Sequence, residues 1–119
     1  MKKEIKKPAS GQQASISSDM ERMEAIVQQV VAEPLAKGSW GDAGHVLWDR
    51  GRHDDAIVCF AANEIQLTSG RDIWRKMCES FLVGEHKRTD AFERYLDLAS
   101  HPEKLEAETQ RILKWARQK

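Results

Sequence analysis

Four histidines (His45, His53, His86 and His101) and two cysteines (Cys59 and Cys78) carry the most versatile chemistry in this 119-residue chain. A zinc site would need them at ligand spacing, as His-x3-His or Cys-x2-Cys, and neither pattern occurs. A thiolate nucleophile would need a cysteine held beside a base or a positive charge. Both cysteines fall instead inside apolar helical patterns, where a small hydrophobe buried in a reducing compartment is the better reading. Asp54-Asp55 resembles a carboxylate pair, but adjacent residues on a helix point apart, and a helix start accounts for them. Gly38, Gly41 and Gly44 are spaced wrongly for a phosphate-cradling loop and follow no strand. The expectation is therefore no catalytic residue, no metal site, no cofactor and no enzyme activity.

What remains is a surface, and the composition says which kinds. Acidic and basic side chains balance at 19 each, which argues against a dedicated nucleic-acid binder. No apolar run is long enough to span a bilayer. The N-terminal MKKEIKKP is basic, but no apolar segment follows, so it does not read as a secretory signal, and a cytoplasmic location is expected. Three prolines and seven glycines, none placed as strand turns, and no alternating runs of strand length point to an all-α chain. Residues 1–17 are polar and lysine-rich, predicting a disordered arm. Residues 18–119 read as one helical domain.

The helices that must position any surface follow from periodicity. Ser18-Asp19-Met20-Glu21 is a capping box. The helix it opens is expected to bury Met20, Met23, Ile26, Val27, Val30, Val31 and Leu35, and to bend or end at Pro34. Lys37-Gly38-Ser39 then connects to the stretch Trp40–Phe60, two short helices folded back at Gly51-Arg52-His53. Trp40, Gly44, Leu47 and Trp48 share one side of the first. The second starts near Asp54 and turns Ala56, Ile57, Phe60 and Ala61 inward. Small Gly44 and Ala56 let the backbones approach. A third helix begins at Arg71, presents Ile73, Trp74, Met77, Cys78, Phe81 and Leu82, and ends at Gly84. Asp90-x2-Glu93 caps a helix bearing Ala91, Phe92, Tyr95, Leu96 and Ala99. Ser100-His101-Pro102-Glu103 caps the last, with Leu105, Ile112, Leu113, Trp115 and Ala116.

The pattern Trp40-x2-Ala43-Gly44-x2-Leu47, followed by Ala56-x3-Phe60, resembles the tetratricopeptide repeat. Departures are Ala43 for leucine, Leu47 for tyrosine and Thr68 for the closing proline. Ala91-x3-Tyr95 repeats the second half 35 residues later, close to that family's period of about 34. The resemblance covers residues 39–101. It implies about two antiparallel helix pairs flanked by an N-terminal and a C-terminal helix, with a concave groove lined by the first helix of each pair. Its groove positions would be His45, Trp48, Asp49 and Arg52, then Trp74, Cys78 and Phe81. Trp48 is the expected anchor, with packing under the N-terminal helix as the alternative. The implied function is an adaptor or chaperone, similar to small chaperones of bacterial secretion systems, that binds a segment of another protein. The alternative is a non-catalytic subunit of a larger assembly. Homo-oligomerisation through the N-terminal helix stays open.

Overall fold

Helix boundaries in this chain are set mainly by backbone conformation at a few small residues. The computed structural model describes the backbone from Lys2 to Gln118 and the side chains of residues 18–118. It is all-α: α1 (Lys2–Ala36), α2 (Trp40–Asp49), α3 (His53–Gln66), α4 (Arg71–Glu79), α5 (Thr89–Ser100) and α6 (Pro102–Arg117). A π-helical segment, Ser80–Glu85, continues α4. No strand occurs among the described residues.

Both α1 and α2 end by the same device. Gly38 and Gly51 take left-handed φ values of 72° and 82°, which an L side chain would resist. After α1, Gly38 N–H donates to Leu35 O (3.1 Å) and Ser39 N–H to Pro34 O (2.8 Å). After α2, Gly51 N–H donates to Trp48 O (3.0 Å) and Arg52 N–H to Leu47 O (2.8 Å). These paired bonds are the Schellman closure, which satisfies carbonyls that would otherwise be orphaned. The expected bend at Gly51 is present and folds α3 back along α2.

α3 is the centre of the molecule. Ala56, Ile57, Val58, Cys59, Phe60, Ala61 and Ala62 are buried in succession, because α2, α4, α5 and α6 all pack around it. A helix apolar on every side is one enclosed on every side. α1 lies along α2 and α6, and buries Val27, Val31 and Leu35 there.

Several expectations are corrected. Ser18 does not begin a helix, since α1 runs through it and Asp19 pairs with Arg22 at 2.8 Å. Met20, Met23, Ile26 and Val30 are exposed, so only the Val27, Val31 and Leu35 side of the α1 stripe joins the core. The caps expected at Asp54, Asp90 and Ser100 are absent: the residues before these helices are Arg52, Arg88 and His101, none making a side-chain cap bond. Pro102 does occupy the first turn of α6. Gly84 sits inside the π-helical segment, and Lys87, with φ 56°, takes the left-handed turn instead. The arm expected over residues 1–17 coincides with the first part of α1, whose side chains lie outside the described residues.

Candidate functional site

The close approach of α2 and α3 starts at Gly44. A Cβ there would sit 2.6 Å from the Phe60 ring and 3.2 Å from the Ala56 carbonyl oxygen. Phe60 is thereby drawn across the hairpin toward α4. Gly41 has a similar relation to α4, since a Cβ would lie 3.2 Å from Trp74 Cη2. Trp74 is fixed in turn by its indole N–H, which donates to Phe60 O at 3.0 Å.

Aromatic rings then line the space between α2 and α4. His45 meets Phe60 and Phe81 edge-on, with centroids 5.2 and 5.6 Å apart. Phe60 meets Trp74 and Phe81 at 6.1 and 6.0 Å in the same manner, the arrangement aromatic quadrupoles favour. Together His45, Phe60, Trp74, Met77, Cys78 and Phe81 enclose a hollow of about 120 Å³. Past His45 and Trp74 it opens into a polar notch bearing Asp42, Asn63 and Gln66. Past Met77 and Phe81 it opens onto a shelf formed by Ser80, Gly84 and Glu85. The hollow and the notch share His45 and Trp74 between α2 and α4, and the hollow and the shelf share Met77 and Phe81.

Of the residues assigned to a groove from sequence, His45, Trp74, Cys78 and Phe81 meet at this hollow. Trp48 does not present its face to water. It is only 5% exposed, stacks on His53 at 4.0 Å, and meets Phe81 and His86 at 5.3 and 5.0 Å. Its ring neighbours come from the start of α3 and the end of the π-helical segment, so it is buried and not an open anchor. Asp49 is exposed at the end of α2. Arg52 points away from the groove, because it follows the left-handed Gly51 and leaves with α3. It pairs with Asp55 and Glu24, each at 2.8 Å, and its guanidinium lies 4.2 Å above the Trp115 ring. It is a clamp joining α1, α3 and α6.

Two carboxylates are buried: Glu64, which sequence reasoning missed, and Asp55, which it put down to a helix start. Glu64, inside α3, accepts bonds from Arg75 at 3.0 and 2.7 Å and from the Tyr95 hydroxyl, which ties α3 to α4 and α5. Burial alone would raise its pKa, but the hydrogen bonds from Arg75 and Tyr95 win and hold it below the ordinary carboxylate value. Asp55 is held low in the same way, burial being outweighed by bonds from Arg52 and Arg111. Glu64 had no local signal beyond being acidic within an apolar helix, whereas Asp55 does lie in the first turn of α3 and carries ion pairs besides.

Neither thiol is poised for nucleophilic attack. Burial pushes the Cys78 thiol up to about 12, and it raises the Cys59 thiol further. Among the described residues no group of three or more His, Cys, Asp and Glu side chains is placed to hold a metal. None of the helices there is long and apolar enough to cross a membrane.

A larger hollow lies elsewhere, an open trough of about 830 Å³ between α1 and α6 near the start of α2. Its walls are Ala25, Ala32, Ala36, Ala116 and the glutamines 28, 29 and 118, with Leu35, Trp40 and Leu113 at its floor. Size favours the trough, but only the α2/α4 hollow is walled by converging aromatic rings with polar groups at both mouths, the usual build of a recognition site. A scan against family models and searches of curated proteins and of solved structures found no match to this chain.

Proposed function

We propose that this chain is a protein-interaction module, an adaptor or chaperone of tetratricopeptide-like build, that holds a segment of a partner protein in the α2/α4 groove. The observation that carries the reading is the aromatic hollow itself, whose volume of about 120 Å³ suits one Leu- or Met-sized side chain. An apolar residue of the partner enters between Trp74 and Phe81, while Asp42, Asn63 and Gln66 meet polar backbone groups beside it. The module is non-catalytic, and the two protonated, buried thiols agree with that and with a reducing, cytoplasmic setting. The other reading, a structural subunit of a larger assembly, is favoured by the uncovered apolar side chains on α1.

The test is panning of a displayed-peptide library on the full chain, followed by titration of the selected peptides with tryptophan fluorescence as the readout. Selected sequences are expected to share one bulky apolar position. Met77→Glu, at an exposed edge of the hollow, should weaken binding at least about tenfold with thermal stability unchanged. Peptides with no common apolar position, or full affinity in Met77→Glu, would reject the groove.

A further inference from the structure

Four large apolar side chains on α1 are exposed: Met20 is 67% exposed, Met23 63%, Ile26 48% and Val30 40%. Isolated exposed hydrophobes are ordinary, but a row of them along one helix marks an interface. Met23, Ile26 and Val30 lie roughly a quarter-turn around the helix from Val27, Val31 and Leu35, which face the domain, while Met20, seven residues before Val27, lies on the domain-facing line. Met23, Ile26 and Val30 stand three and four residues apart. In the sequence the same alternation continues upstream without a break through Ile5, Ala9, Gln12, Ile16 and Asp19. Eight positions keep the four-three spacing, and six of them are apolar, which is the heptad seam of a coiled coil. A helix of 35 residues is also far longer than its packing on the domain requires.

We propose that α1 forms an antiparallel two-stranded coiled coil with α1 of a second copy of this chain. Charge chooses both the partner and the direction. Residues 1–17 carry four lysines (Lys2, Lys3, Lys6, Lys7) against Glu4, a net charge of +3. Residues 18–34 carry Arg22 against Asp19, Glu21, Glu24 and Glu33, a net charge of −3. A two-fold axis between residues 17 and 18 lays each basic half along the other copy's acidic half. That register brings Ile5 opposite Val30, Ala9 opposite Ile26, Gln12 opposite Met23 and Ile16 opposite Asp19, and it opposes Lys2 to Glu33. A parallel pair would stack lysines on lysines and Asp19 on Asp19. The antiparallel pair also carries the two globular ends to opposite ends of the rod, and the symmetry is the closed two-fold kind most oligomers use.

Sedimentation equilibrium of the full chain, from low to high micromolar, is the first measurement, and a dimer is expected. Met23→Glu and Ile26→Glu should each raise the dissociation constant about 100-fold or more and give monomer, with the near-ultraviolet circular dichroism of the domain retained. Both positions are exposed, so folding is not at stake. Direction is read by cysteine pairing under mild oxidation: Gln12→Cys mixed with Met23→Cys should give the mixed disulfide, and neither variant alone should cross-link. A wild-type chain that stays monomeric throughout, a dimer that survives both glutamate variants, or self-cross-linking of Gln12→Cys alone would overturn the proposal. None of these outcomes depends on the α2/α4 groove.

Discussion

A single methyl group at position 44 separates a close helix pair from a strained one. In Gly44→Ala the new Cβ would meet a fully buried Phe60 ring at 2.6 Å and the Ala56 carbonyl, a backbone atom that cannot swing away. Alanine gains about 1 kcal/mol of helix propensity over glycine. Overpacking of a rigid contact costs about 1–3 kcal/mol, so the net effect is a loss, read as a lower urea midpoint. Glu64→Gln removes the charge that Arg75 and Tyr95 surround, and should cost about 1.5–3 kcal/mol by the same measurement. The pH dependence has a defined sign. Glu64 and Asp55 both titrate lower in the folded chain than in the unfolded one, so their stabilisation is complete above the ordinary carboxylate range and fades as pH falls through their folded values. Wild-type stability should therefore drop steeply below about pH 4, and more shallowly in Glu64→Gln. The Gly44–Phe60 contact was legible in the sequence because it belongs to a local spacing within one hairpin. The surroundings of Glu64 and Trp48 were not, since Tyr95 and His86 reach them from distant turns.

Local spacing found every helix from Trp40 onward and the glycine that ends α2, but not how the later helices begin or how α4 ends. Three Asp- or Ser-based caps were expected, yet α3, α5 and α6 start without a side-chain cap bond, each with an acidic residue in its first turn. The end of α4 departs from expectation as well. His86 N–H donates to Phe81 O at 3.1 Å and Arg88 N–H to Leu82 O at 2.7 Å, so the last turns are wider than an α-helix and deliver Phe81 to the hollow. Gly84 would accept a Cβ with only Ser80 Oγ near, at 3.8 Å, so the glycine is not what shapes this turn. Lys87 bears the left-handed strain, and Lys87→Gly should stabilise the chain by about 1 kcal/mol in chemical denaturation. A loss of stability would mean that the lysine makes contacts worth more than the strain it carries.

At the scale of the whole molecule, Arg52 is the fastening that keeps α1 on the domain, through Glu24 on one side and the Trp115 ring on the other. Arg52→Ala should lower stability by about 1–3 kcal/mol. The mark that distinguishes a fastening from a general loss is local: amides of α1 from Glu24 to Ala36 should lose hydrogen-exchange protection before those of α3 do. The placement of α6 has a consequence of its own. In a solenoid each unit touches only its neighbours, so the stack melts from its termini and tolerates being lengthened. Here α6 turns back onto α3 and also reaches α1, so helices from the two ends of the described domain brace one another. A helix pair spliced in directly behind α5 would have to displace α6 from α3, so the cost of lengthening falls on the centre of the domain and not on its edge.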